Sequence, residues 1–138
     1  MQAGVPSGLA ASLVLHAEAE APREACGLVV QAADGPARAR PARNLAASPG
    51  LFLLDPAALV ASRRREERLW AIYHSHCDAP PVLSTADLAA ALVEGAPAWP
   101  GVEQWIIEVS GGRAVGLVRY AWCAARRDFV VAPGPAAL

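Results

Sequence analysis

The sequence contains no lysine, and its twelve basic residues are all arginines set against thirteen acidic ones. Such usage is what a GC-rich coding sequence produces. The balance leaves a net charge of -1, so there is no excess of positive charge to release counterions from a nucleic acid or to hold an anionic membrane surface. Cysteine is scarce as well. Cys26, Cys77 and Cys123 form no CxxC pair, and an odd count in a chain able to bury a sizeable core excludes a disulfide scaffold; a reducing, cytoplasmic setting is expected. Every apolar run is broken by a charge or a proline before the roughly 18 residues of a membrane span. The apolar stretch from Val5 to Leu15 has no basic residue ahead of it, as a secretory signal would. No internal repeat is visible.

What is present is apolar material for one core. Of 138 residues, 54% are hydrophobic and 18% charged, enough to fold as a single domain over residues 1–132, with a Pro-rich flexible tail at 133–138. A helix is predicted from Ser7, as N-cap, to Glu20, closed by Pro22, with His16 on its solvated face. Cys26 to Val30 reads as a buried strand, Ala33 to Pro36 as a turn, and the Arg-rich stretch up to Asn44 as an edge strand. Leu51 to Leu54 forms a short strand before Asp55-Pro56, a helix start with Asp as cap and Pro at the first helical position. The charge run Arg63 to Arg68 belongs to that helix as a solvated face, with Arg63 and Glu67 spaced to pair. Leu69 to Tyr73 is a second buried strand, running into His74-Ser75-His76. After Pro80-Pro81 a helix begins near Ser84 and ends before Gly95. Two strands follow, Gln104 to Val109 and Ala114 to Tyr120, around the turn Ser110-Gly111-Gly112, and Phe129 to Val131 adds a last one. The fold class is α/β: a mixed, curved sheet with the first helix on one side and the helix near Ser84 on the other.

Side chains two apart on a strand share a face, so His74 and His76 can present two imidazoles toward one point. On the following helix, Ser84 and Asp87 are three apart and share a face near its first turn, where a carboxylate can be a third ligand. Two histidines, one aspartate and a vacant fourth position describe a catalytic rather than a structural zinc site, since structural sites fill all four positions with protein. Water in the fourth position would have its pKa lowered toward about 7. A glutamate outside the ligand set is suited to move its proton, and Glu24, just before the first buried strand, can lie beside the strand carrying the histidines. Each piece has a plainer reading alone: HxH as ordinary histidines and Ser84 to Asp87 as a capping box, while Glu24 by itself carries no signal. Their combination is what points to a metal centre.

The pattern His74-x-His76, seven residues, Ser84-x-x-Asp87, with Glu24 upstream in Pro22-Arg23-Glu24-Ala25-Cys26-Gly27, resembles the JAMM (MPN+) zinc metallopeptidase family. Asn44, the Phe52 to Pro56 segment and Ile72 to His76 fall where compact prokaryotic members carry similar residues, so the resemblance covers roughly residues 22–93. It implies the MPN/JAB fold, related to the layered architecture of cytidine deaminases. It implies Zn2+ held by His74, His76 and Asp87, Glu24 as general base and acid, and Ser84 stabilising the oxyanion. The substrate class it implies is a peptide or isopeptide bond after the C-terminal diglycine of a ubiquitin-like or sulfur-carrier protein, and it allows a homodimer. Lysine-free composition would also keep such an enzyme from becoming an acceptor in isopeptide chemistry.

Other classes fit the residues less well. A cell-wall peptide endopeptidase usually carries a second catalytic module absent here. Non-catalytic MPN scaffolds have lost ligands that this chain keeps. A zinc nucleoside deaminase would need a PCxxC segment, which is missing. Cys77 stands where similar proteins have proline or threonine; one residue on from His76, it points away from the metal if the strand continues. Cys26 reads as a small buried apolar residue, and Trp99, Trp105 and Trp122 as core or edge packing.

Overall fold

The structure is a computed structural model that describes residues 4–133 and 138. Helix α1 (Ser7–Glu20) carries Leu9, Leu13 and Ala17 four residues apart, all buried, so one stripe of it faces inward. Ser7 is its first helical residue and not its cap. The carbonyl of Pro6 already accepts from the Ala10 N–H, and no side chain caps this end. Strand β1 (Cys26–Gln31) is buried at its first five positions, as a strand covered on both faces must be. Edge strand β2 (Ala37–Ala42) follows, then α2 (Pro56–Arg64), whose cap Asp55 accepts from the Ala57 N–H. Strand β3 (Arg68–Cys77) runs through both histidines. Next come α3 (Thr85–Ala91), a two-residue hairpin of β4 (Leu92–Val93) and β5 (Ala96–Pro97), and β6 (Glu103–Ser110), β7 (Arg113–Cys123) and β8 (Asp128–Val131).

The six long strands form one mixed sheet in the order β2-β1-β3-β6-β7-β8, with β3 and β6 parallel and the other pairs antiparallel. A parallel pair needs a crossover, and here the crossover carries α3 back over the sheet. On one face, Leu9, Leu13 and Ala17 of α1 meet Val29, Tyr73, Trp105 and Ile107. A buried Leu such as Leu13 is worth roughly 2 kcal/mol against leaving it exposed. On the other face, Leu28, Val30 and Ile72 are covered by Leu54, Ala58, Leu59 and Trp99. Tyr73 crosses Gly27 so closely that a Cβ there would stand 2.6 Å from its ring and 2.5 Å from the Arg40 carbonyl, which only glycine avoids.

Three local expectations are corrected. His16 is half-buried, its Nδ1 2.7 Å from the Tyr73 hydroxyl, because the helix face beside Ala17 lies against the sheet. Helix α2 stops at Arg64, and Glu66 takes a left-handed φ of 56°. That turn carries Glu67 away from Arg63 and buries its side chain in an ion pair with Arg40 of β2. Residues Leu51 to Leu54 form no strand and contribute one isolated bridge, Asn44 to Leu54, because the Asn44 side chain occupies the local backbone groups. The tail expected to be flexible falls mostly on residues 134–137, outside the described residues. No helix among the described residues is long and apolar enough to cross a membrane.

Candidate metal centre

His74 and His76 stand on the α2/α3 face of β3, at the C-terminal end of the parallel β3–β6 pair, where the crossover brings α3 against them. Their Nε2 atoms are 3.0 Å apart, and Oδ2 of Asp87 lies 3.2 Å from the first and 3.1 Å from the second. At metal–ligand distances near 2.0–2.1 Å, the edge of a tetrahedral zinc site is about 3.4 Å. The three atoms therefore form nearly one face of such a tetrahedron. Glu24 completes the group: ligand-type atoms of Glu24, His74, His76 and Asp87 all lie within 4.8 Å of one another, and all four residues are buried.

Hydrogen bonds around the group orient its donors. Nδ1 of His76 is 2.7 Å from the Pro80 carbonyl. Donating its proton there leaves the Nε2 lone pair free to face the cluster. The imidazole of His74 stacks on Phe52 at 4.1 Å and 17°. Asp87 Oδ2 also accepts the Ser84 N–H at 2.9 Å, while the Asp87 N–H donates to Ser84 Oγ at 3.1 Å. The capping box and the candidate metal ligand are thus one structure. Ser84 itself is exposed at the N-cap, and among the described residues its hydroxyl proton engages no acceptor.

The electrostatics of the group suit a cation. Burial opposes the Asp87 carboxylate, but hydrogen bonds from both histidines and from the Ser84 N–H outweigh it and hold its pKa well below the usual range. For His76, burial works against the imidazolium, yet Asp87 and the Pro80 carbonyl raise its pKa. Burial lowers that of His74. Glu24 is pushed up to about 7, chiefly by burial, with His76 opposing and Asp87 adding to the rise, and its Oε1 is buried without a hydrogen-bond partner. Two imidazole nitrogens and two carboxylates converging in a buried place repel unless positive charge sits among them. Nitrogen and oxygen donors at this spacing fit a divalent ion such as zinc.

Register and two side chains bring Glu24 here. Cys26 pairs with His74, so the residues just before β1 lie beside the histidines. Ser75, between the two histidines and facing the opposite way, accepts the Ala25 N–H on its hydroxyl at 2.8 Å, and its own N–H donates to the Ala25 carbonyl at 2.9 Å. The Asn44 amide donates to the carbonyls of Glu24 (2.9 Å) and Leu51 (3.0 Å), and its oxygen accepts from the N–H groups of Ala46 and Leu53. One side chain thereby fixes both the Glu24 backbone and the loop that sets Phe52 on His74. Asn44→Ala removes all four bonds and should lower stability by about 2–4 kcal/mol, read from the denaturation midpoint. An unchanged midpoint would show the loop to be held by other contacts.

Cys77 behaves as the strand alternation predicts. It packs with the α1-side core, its Sγ 3.6 Å from the Arg23 carbonyl, outside the ligand group. Cys26 is fully buried. Trp105 is core, and Trp122 lies edge-on to Phe129. Trp99 packs on the core of Leu28, Val30 and Ile72, as expected, and also lines a cavity beside Asp87.

The profile for prokaryotic homologs of the JAB domain matches residues 6–123. Among solved structures, a protein from Desulfitobacterium hafniense superposes with a TM-score of 0.69 at 24% identity, over 94% of this chain and 88% of that one. A protein from Salinibacter ruber gives 0.61 at 22% identity, over 96% and 89%. At these identities the two structures establish the fold alone. No protein of curated function is matched.

Proposed function

The chain belongs to the family of prokaryotic homologs of the JAB domain, and from that premise we propose that it is a zinc-dependent peptidase or isopeptidase. Its substrate in this reading is the bond after the C-terminal diglycine of a small ubiquitin-like or sulfur-carrier protein in the cytoplasm. The observation that carries the proposal is the triangle of His74, His76 and Asp87, with a fourth buried carboxylate, Glu24, beside it. A structural site would have filled the fourth corner with protein.

Zinc, when bound, supplies Lewis acidity that lowers the pKa of water toward about 7 and polarises an amide carbonyl. Glu24 takes the proton of the attacking water and returns it to the leaving nitrogen, so that the C–N bond breaks to a carboxylate and a free amine. Burial, which raises the Glu24 pKa above that of an exposed carboxylate, favours its holding the proton between the two halves of that exchange. Ser84 can donate its uncommitted hydroxyl proton to the carbonyl oxygen as charge develops there, while its lone pairs continue to accept from the Asp87 N–H. Ser75 and Asn44 act by holding the Glu24 backbone. A small carrier bearing one amino acid, such as cysteine, is the preferred substrate in this reading.

The test is to incubate the zinc-loaded protein with a diglycine carrier joined to cysteine or to a lysine side chain, with and without chelator. Cleavage should vanish on chelation and return with added zinc. Cleavage that survives chelation would refute the mechanism. No cleavage of either conjugate by zinc-loaded protein would favour a non-catalytic interaction module.

A further inference from the structure

Beside the metal centre lies a cavity of about 250 Å3, and Asp87 lines it. Its walls are apolar: Phe52, Leu54, Leu59, Ile72, Ala91 and Trp99. Two of them are tied to the site directly, since Phe52 stacks on His74 and Ala91 ends the helix that presents Asp87. One wall residue does not fit an ordinary apolar pocket. Gln104, next to Ile72 in the β3–β6 register, is only 5% exposed, and among the described residues its carboxamide has no hydrogen-bond partner. Its amide atoms are not among the fully buried polar atoms that lack a partner, so they open onto the cavity and can meet a ligand there. Retention of a glutamine at the wall of an apolar cavity makes sense if a ligand completes it. A carboxamide, at once donor and acceptor, matches a peptide group.

The cavity also leads somewhere. Leu59 and Trp99 are shared with a second, larger and open cavity of about 1060 Å3 on the outer side of α2, which Arg63 and Arg64 border. The two cavities thus share a wall at Leu59 and Trp99, and their alignment from Asp87 outward is the path proposed for a substrate chain. In the proposed reaction the leaving group is a single amino acid, whereas the acyl part is the tail of a folded protein that must stay outside. The path therefore suits the acyl part. Diglycine offers no side chain near the metal, so the first available one belongs to the third residue before the scissile bond. In an extended chain that residue is roughly 7–10 Å away.

We propose that this cavity is a specificity pocket for an aliphatic side chain at the third residue on the carrier side of the scissile bond, with Gln104 holding the adjoining peptide group. The inference rests on the carrier-cleaving reading above, but its test does not need activity. Metal-free protein labelled with 15N is titrated with N-acetyl-leucyl-glycyl-glycine and with N-acetyl-alanyl-glycyl-glycine, following the Gln104 side-chain NH2 and the Trp99 indole. The leucyl peptide should bind on the order of 10–50-fold more tightly, the usual consequence of burying three further carbons, and should shift both resonances. Ala90 lies at an exposed helix position on the same lining, so Ala90→Leu should fold normally and abolish the preference by filling the cavity. Gln104→Leu should weaken the leucyl peptide at least fivefold while leaving the melting temperature of the free protein within a degree or two, a combination a merely structural glutamine would not give. Equal affinity for the two peptides, or shifts that bypass Gln104 and Trp99, would overturn the pocket. Hydrolysis without a leucyl preference would overturn it and leave the enzyme reading intact; leucyl-selective binding without hydrolysis would do the reverse.

Discussion

Glu24→Gln should lower zinc-dependent cleavage by about 10^2- to 10^4-fold and at the same time stabilise the metal-free protein at pH 8. Both effects follow from one placement. The carboxylate is buried, its Oε1 has no partner, and its pKa is pushed up to about 7, chiefly by burial and also by Asp87. A carboxyl group whose pKa is higher folded than unfolded favours folding fully below the unfolded value, near 4.5, and loses that contribution as pH rises through the folded value. Between about pH 4.5 and pH 7 the metal-free wild type should therefore lose stability from this group. His76 acts in the same direction at its own range, since a raised histidine pKa also gives stability that disappears as pH rises. Glutamine keeps the shape and discards the charge, so the variant should be about 1–3 kcal/mol more stable at pH 8 and indistinguishable near pH 4. Thermal melts of the chelated proteins at the two pH values, paired with initial rates of the zinc-loaded ones, read both halves. A variant that keeps its rate removes Glu24 from proton transfer; one that loses its rate without gaining stability at pH 8 shows that the carboxylate was never desolvated.

The contrast between what the residues announced and what they concealed follows the range of the interactions. His74 and His76 could be paired from sequence because a strand repeats every two residues and the run Leu69 to Tyr73 leaves little doubt about the strand. Asp87 could be added because three residues on a helix return to one face and Ser84 marks its start. Those are local rules. Glu24 rests on its chemistry and on family resemblance, and only the antiparallel register of Cys26 with His74 explains how it arrives. Ser75 was hidden by its neighbours: it faces the other way, and its value lies in a bond to Ala25, fifty residues earlier. Glu67, part of an apparently solvated charge run, is buried because β2 brings Arg40 to it. The β4–β5 hairpin went unseen for a local reason. Its turn places Glu94 and Gly95 at positive φ, 52° and 79°, a conformation usually signalled by Asn or Asp before the glycine. Gln104 was invisible as a site residue because nothing about a glutamine in a strand says that its amide will be left without a partner.

Adding zinc to the chelated protein should produce the largest change in stability of any treatment proposed for it, and Asp87→Ala should abolish that change. Without a cation, the cluster keeps an Asp87 carboxylate, two facing imidazole nitrogens 3.0 Å apart and Glu24 in one buried place. Some of that repulsion is relieved by protons, as the raised pKa of His76 and Glu24 reflects, and those protons must leave when the metal binds. A ligand that binds only the folded state adds RT ln(1 + [L]/Kd), about 4 kcal/mol at a thousandfold excess over Kd. In a domain of this size that shifts the melting temperature on the order of 10 °C, with proton release detectable in weakly buffered solution. Asp87→Ala removes one corner of the triangle, so the shift should collapse to a degree or two. It also removes the carboxylate that the Ser84 N–H donates to, so the metal-free variant should be less stable than wild type. Asp87→Asn keeps the shape at that N-cap and separates the two losses. It should recover most of the metal-free stability, because its amide oxygen still accepts the Ser84 N–H, yet gain far less from zinc than wild type. If the alanine variant still shows the full zinc-induced shift, the ion binds elsewhere and the three-ligand site is wrong.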